Sequence, residues 1–306
     1  MSYLVFDIET VPDLSVWTPP PKKADEIERI TAEREKKPTK PEVAFLDLVT
    51  TAWQAKKPVH TKDLEKAHGI AKLLDAYQKT AEVLKGILDE REVGEEEKDA
   101  FPPIYAHRPV AIGYAVLGDD FSIDTAGCVG TTSFGDNEAG LLSGFGQFAA
   151  GHTLVSFNGK AFDMPVILLR SFKHGVGHGW HGKDHRYRYD ENRHVDLKLA
   201  LADYDTYKKG FNLDTFAKLC GLPGKGPVDG SMVAGMYDEG KHTEIERYCL
   251  SDALQTSIVF LRFMLMRGRL SVERYQEAAT KLLAWWNAHD PEQAGKIDTK
   301  LLLLQG

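Results

Sequence analysis

The sequence predicts an α/β domain, a mixed central sheet flanked by helices, interrupted by a long helical insertion. Strand-like segments open the chain and resume after residue 100, and helical periodicity dominates the second half. Between them, residues 21–100 hold 16 Lys/Arg and 18 Asp/Glu with no strand pattern. At 306 residues the chain has room for one large domain with a sizeable insertion.

The first ten residues, MSYLVFDIET, alternate as a strand ending in acids. In the charged stretch, Leu64, Ala67, Ile70, Ala71, Leu74, Tyr77, Ala81, Leu84 and Leu88 recur at helical spacing. Prolines at 19–21, 38, 41 and 58 divide that stretch into three helical pieces, so 18–100 is taken as a helical insertion. Strands are expected at 110–117 and 122–129, joined by a hairpin turn at Gly118-Asp119-Asp120. A helix at 138–150 follows, then a strand at 153–157, a helix at 162–172 and a basic, His-rich loop at 173–194. Helices are expected at 213–219, 231–238, 244–266 and 272–289. The α/β domain then spans 1–270, with 271–306 as a C-terminal helical extension.

Composition narrows the function classes. With 42% hydrophobic and 10% aromatic residues the chain can build a core, which excludes wholesale disorder. The longest apolar runs, 165–169 and 301–304, are too short to cross a bilayer, so no membrane partner is expected. The N-terminus enters a strand directly, without the pattern of a secretory leader. Cys128, Cys220 and Cys249 lack CxxC spacing, which suits reduced thiols and a cytoplasmic setting. A net charge of −7 argues against a nucleic-acid partner until the acids are placed, because bound cations would offset a carboxylate cluster locally.

Three motifs carry the chemistry. Asp7 and Glu9, two apart on a strand, project from one face about 7 Å apart. Asn158-Gly159-Lys160-Ala161-Phe162-Asp163 sits where a strand gives way to a helix, and helix capping alone would also favour Asp163 there. Thr243 and Glu246 have the form of a capping box that would start the next helix. On it, Tyr248 and Asp252 share a face with Ile245, Thr256 and Val259, so the face is expected to pack inward. An inward Asp is costly unless paired or bound to a metal.

In this order the three motifs resemble the four-carboxylate proofreading exonuclease superfamily in its tyrosine subclass (DEDDy). The histidine subclass would place His where Arg247 stands. The segment LVSFNGKAFDMPVILLRS resembles the second exonuclease motif of family B DNA polymerases. RYRYDENRHVDL, FNLDTFAKLCGLPGK and VDGSMVAGMYDEGKHTEIERYCLSDALQT are similar to stand-alone bacterial proteins described as predicted exonucleases related to that domain. The resemblance covers residues 1–17 and about 101–266, and the 18–100 insertion departs from it.

The resemblance implies an RNase H-like fold and metal-dependent 3′→5′ hydrolysis of DNA, single strands foremost. Asp7, Glu9, Asp163 and Asp252 would hold two Mg²⁺ or Mn²⁺ ions, and Tyr248 would orient the attacking water. Asn158, Lys160 and Phe162 are the candidate substrate contacts, with Lys160 at a phosphate. RNA is the same-class alternative. A catalytically silent nucleic-acid-binding or scaffold protein is the other alternative, which loss of one acid would have favoured. The insertion would serve as a strand clamp, a protein-partner surface or a dimer contact.

Two further features are weighed against simpler accounts. His174, His178, His181 and His185 have spacings zinc accepts, but Gly175, Gly177, Gly179 and Gly182 interleave with them. With Lys173, Lys183, Arg186, Arg188 and Arg193, the segment better suits a loop touching a nucleic-acid backbone. Asp196 could support the site from behind its ligands, but a helix cap is the simpler expectation; Trp285 and Trp286 could stack on bases, but packing in a core or interface is the simpler one.

Overall fold

The computed structural model describes residues 2–19, 101–204, 206–207, 209–224 and 230–305. The expected insertion at 18–100 lies almost wholly outside the described residues. The unit that carries the sheet comprises Met1–Trp17 and Pro103–Gly306.

Five strands form one mixed sheet in the order β3-β2-β1-β4-β5. They are β1 (Tyr3–Pro12), β2 (His107–Leu117), β3 (Ile123–Gly130), β4 (Thr153–Ser156) and β5 (His194–Asp196). β1 lies antiparallel to β2, and β2 to β3, whereas β1, β4 and β5 run parallel. This is the mixed sheet expected of an RNase H-like domain. β1 is central and covered on both faces, so its residues are buried almost without alternation.

The two faces hold separate cores. Leu4, Phe6 and Ile8 pack with α1 (Glu138–Ala149) and α2 (Asp163–His174). Val5 packs on the opposite side with Leu254, Ile258 and Leu261 of α6 (His242–Met266). Three short helices, α3 (Leu197–Leu201), α4 (Leu213–Leu219) and α5 (Val233–Asp238), lead from β5 into α6. Helix α7 (Val272–His289) covers α6 through Tyr275, Ala279, Leu282 and Trp286. Trp286 is thus core, while Trp285 stacks on His289 at 3.9 Å. By length and a mean hydropathy of 1.3, α6 would pass for a membrane span, which the short runs in the sequence did not suggest. Its apolar stretch is 72% buried within the protein, as in a core helix.

Three local expectations are corrected. Strand β5 was not expected: three residues at a sheet edge carry no readable periodicity. The β2–β3 turn runs to Ser122, whose carbonyl accepts the Gly118 N–H at 2.9 Å, with Phe121 at φ 66°. The Thr243/Glu246 capping box does not form, because α6 starts at His242 with Lys241 at its N-cap and no side-chain cap. Glu246 instead accepts from the Thr132 N–H at 2.8 Å and the Thr132 hydroxyl at 2.5 Å, a tertiary contact that outcompetes the local one.

A buried ion network ties the site-bearing strand to its helices. Arg170 on α2 is 1% exposed and donates to Asp13 just beyond β1 at 2.5 Å and to Glu138 of α1 at 2.5 and 2.7 Å. Burial pushes the Asp13 carboxyl up, but hydrogen bonds from Lys173, Ser15 and Arg170 outweigh it and hold Asp13 below the usual range. A depressed carboxylate stabilises the fold above its unfolded value and loses that contribution as pH falls through the usual carboxylate range and beyond. Arg170→Met removes the cation shared by two buried acids, leaving Asp13 to Lys173 and Glu138 to His174, and is expected to destabilise the protein by about 3 kcal/mol in urea unfolding at neutral pH. The deficit should shrink under acid, where Asp13 protonates and the ion pair with Arg170 is lost in the wild type as well; an unchanged midpoint would refute the network's role.

Candidate active site

Asp7 and Glu9 project from the β1 face that α6 covers, as their two-residue spacing requires. A bulge between Glu9 and Thr10 shifts the β1–β2 register immediately beyond them. Ligand oxygens of Asp7, Glu9 and Asp252 lie within 4.8 Å of one another, the one such group found among the described residues. Glu9 is 8% exposed and Asp252 7%, while Asp7 keeps partial exposure.

What brings Asp252 to β1 is a gap in β2. Asp7 pairs with Gly113, and a Cβ on Gly113 would lie 2.4 Å from the Cys249 carbonyl oxygen and 2.9 Å from the Leu250 nitrogen. The α6 backbone therefore rests directly on the sheet beside Asp7. The Gly113 N–H donates to Cys249 Sγ at 3.0 Å, and that thiol donates to the Asp7 carbonyl at 3.4 Å. The isolated glycine in the strand pattern was the available signal for this close approach.

The N-terminus of α2 supplies Asp163, 5% exposed, whose carboxyl accepts the Ile8 N–H of β1. Burial is the main reason its pKa is pushed up to about 7, with Asp196 adding to the rise. Burial raises Asp7 as well, reinforced by repulsion from Asp163, Asp252 and Glu9. Mutual repulsion links all four acids into one electrostatic unit. One Asp252 oxygen also accepts from Gln255 at 3.1 Å.

Tyr248, one turn before Asp252 on α6, is half-buried and packs near Val11, Val110 and Ile245. Its hydroxyl is pushed far above the usual phenol range by burial, then by the charges of Asp252, Glu9 and Asp7 and a hydrogen bond to Asp252. The hydroxyl is therefore protonated and available as a donor at any working pH.

The loop between β4 and α2 is held by residues of β5. Asp196, 2% exposed, accepts from the backbone N–H of Asn158 at 3.0 Å and of Lys160 at 2.9 Å. It also accepts from Lys198 and Leu199, capping α3 as expected. Asn158 adopts φ 77°, a conformation that non-glycine residues rarely adopt, and these bonds help hold it. Gly159 donates to Ser156 Oγ at 3.1 Å, and a Cβ there would strike that oxygen, which is also 2.7 Å from His194 Nε2. Asp196 is thus more than a cap: it also positions the loop that carries Asp163, a role the sequence allowed but ranked below capping because the β5–loop contact is long-range. On the exonuclease expectation from the sequence motifs, Asp196→Ala lowers oligonucleotide turnover about 10–100-fold, the range for removing groups that orient metal ligands. The loss should appear in kcat; unaltered kcat would contradict the positioning role.

The three expected substrate contacts lie on this loop. Asn158 Oδ1 accepts from Lys198 at 3.2 Å, and Phe162 meets the His107 ring edge-on at 4.9 Å. Lys160 is engaged within the protein. Its ammonium donates to the carbonyls of Tyr187 at 3.0 Å and Asp190 at 2.7 Å, which satisfy a half-buried charge. The histidines are also engaged individually: His174 with Glu138 at 2.9 Å, and His178 with Ser171 at 2.7 Å. His181 and His185 lie ring to ring at 5.3 Å, and burial leads the causes that lower His181 to about 4.

Residues 99–299, about two-thirds of the chain, match the model of a family described as predicted 3′-5′ exonuclease related to the exonuclease domain of PolB. The match contains Asp163, Tyr248 and Asp252 but begins after β1. Among solved structures, the family B DNA polymerase from the hyperthermophilic archaeon Pyrobaculum calidifontis is similar at 16% identity and a TM-score of 0.42. That similarity covers 61% of this chain and 27% of the polymerase. No curated protein matched the sequence. From the matched span, the chain belongs to the family of predicted 3′-5′ exonucleases related to the exonuclease domain of PolB.

Proposed function

We propose that this protein is a metal-dependent exonuclease that hydrolyses phosphodiester bonds from the 3′ end of DNA, single strands foremost. The observation that carries this is the convergence of Asp7, Glu9 and Asp252 within 4.8 Å, with Asp163 coupled to them. A group of buried like charges is unfavourable by itself and becomes favourable around cations. Its donors are all hard carboxylate oxygens, a set that fits Mg²⁺ or Mn²⁺ and suits zinc poorly.

In this reading Asp7, Glu9, Asp163 and Asp252 hold two divalent ions. When bound, such ions acidify water and neutralise charge on the leaving 3′-oxygen. The chain's own residues do the rest. Tyr248, with its proton retained, directs its hydroxyl at the attacking water and fixes the line of attack. The Asn158–Asp163 loop, anchored by Asp196, presents backbone and side chains to the terminal nucleotides. Only a frayed or single-stranded end supplies unstacked nucleotides without first breaking pairs.

Tyr248→Phe separates orientation from metal holding. The variant should retain the rise in melting temperature produced by Mn²⁺ and lose about 100-fold in single-turnover hydrolysis of a single-stranded oligonucleotide. Hydrolysis at the wild-type rate would remove Tyr248 from the mechanism, and a lost Mn²⁺ response would make its role structural.

A further inference from the structure

At the other end of the sheet lies a second site that the exonuclease chemistry does not use. A cavity of about 800 Å³ opens where β1 and β4 begin, lined by Tyr3, Thr153 and Val195 at its floor. This volume falls within the range of small-ligand sites. Its walls are aromatic and cationic. Tyr189 lies 4.8 Å from Tyr204 and 5.9 Å from Tyr187, ring centre to ring centre. Tyr187 and Tyr189 are 54% and 59% exposed, so their rings face solvent and not a core. The Arg267 guanidinium lies over the Phe263 ring at 5.2 Å and 3.6 Å from the Glu191 carboxylate, and Arg269 is an exposed residue of the lining. Glu191 is fixed in the same wall, accepting from the Tyr204 hydroxyl at 2.8 Å.

We infer that this cavity binds a nucleotide of single-stranded nucleic acid upstream of the 3′ end, a deepening that rests on the exonuclease reading. Exposed tyrosines offer stacking faces to unpaired bases, and the exposed Arg269 meets a phosphate. The Glu191 carboxylate is an acceptor for base amino groups. Two observations assign the occupant to the same strand. Lys160, three residues from Asp163, grips the carbonyls of Tyr187 and Asp190, so the cavity wall and the active-site loop are joined. Tyr3 and Asp7 stand on one strand, roughly 13 Å apart at about 3.3 Å per residue, and because Val5 between them is buried under α6 a bound strand reaches the cavity around that helix, along the 187–190 wall.

The test is fluorescence anisotropy on the full chain in chelator, with 5′-labelled oligothymidylates of three and twelve nucleotides. Wild type should bind the longer strand more tightly. Tyr189→Ala should weaken the twelve-mer about 10-fold, the loss of one stacked base, and leave the trimer unchanged. Arg269→Ala should reduce the salt slope of twelve-mer binding by about 0.7. Thymidine monophosphate distinguishes the source: binding to wild type that Tyr189→Ala abolishes, without any length advantage, would overturn the strand and leave a free-nucleotide site. Twelve-mer affinity unchanged in both variants overturns the inference, even where the protein digests DNA. A preserved length advantage in a protein that digests nothing would instead overturn the exonuclease reading alone.

Discussion

Asp7→Asn is expected to lower exonuclease turnover about 1,000-fold or more while raising the melting temperature of the metal-free protein. Both effects arise from the same crowding. Like charges at the cluster's separation repel by roughly 3–4 kcal/mol per pair at an effective dielectric of about 20. Protonation relieves part of this, as the upward shifts of Asp7 and of Asp163, to about 7, indicate. A group with a raised folded pKa stabilises below its unfolded value and loses that contribution as pH rises through the folded one. The metal-free wild type should therefore lose stability from the usual carboxylate range up through about pH 7. Asparagine removes one charge at nearly constant shape and flattens that dependence. It also removes an oxygen charge that the ions need, so the Mn²⁺-induced gain in melting temperature should shrink. Full activity, or a metal-free variant less stable than wild type, would contradict this account. The trade is one of stability against function, as is common where a site gathers like charges.

Gly113→Ala is the second large effect, and it acts without touching a carboxylate. The new methyl would sit 2.4 Å from the Cys249 carbonyl oxygen and 2.6 Å from its carbon, both backbone atoms that no rotamer can withdraw. To reach ordinary contact, α6 must retreat by about 1 Å. A displacement of that size between reacting groups costs about 100-fold in rate. Overpacking should lower stability by about 1–3 kcal/mol. The control is Gly144→Ala on α1, where the added methyl meets only the Phe134 ring at 3.5 Å, and helix propensity should make it neutral or stabilising. Equal kcat/KM for Gly113→Ala and Gly144→Ala would show that α6 is not seated by the glycine.

Much of this was legible in the sequence because it depends on short-range periodicity. Strand β1 was expected from the pattern of the first ten residues, and α7 as a helix at 272–289, the bounds it takes. The inward face of α6 followed from Ile245, Thr256 and Val259, all now buried, so the burial of Asp252 beside them was predictable. What was not legible depends on partners distant in sequence. Strand β5 exists because β4 offers an edge, not because three residues prefer extension. Glu246 was claimed by Thr132, across 114 positions, and not by its own helix start. Lys160 has the composition of a phosphate contact, yet the carbonyls of a loop 27 to 30 residues away hold it. Arg170 carries no local sign of its burial, which its partners Glu138 and Asp13, 32 and 157 positions away, bring about. Gly113 left a signal, an isolated glycine in a strand, whose meaning only the packed α6 supplies.

The most direct test of the central claim is digestion of a 5′-labelled single-stranded DNA oligonucleotide with Mg²⁺ or Mn²⁺, beside a chelated reaction, Asp7→Asn and a matching RNA. The account predicts a metal-dependent ladder that shortens stepwise from the 3′ end of DNA and is absent with chelator and in the variant. Cleavage that ignores the metal, persists in Asp7→Asn or releases the 5′ label first would contradict it, as would retained binding with no digestion of either nucleic acid.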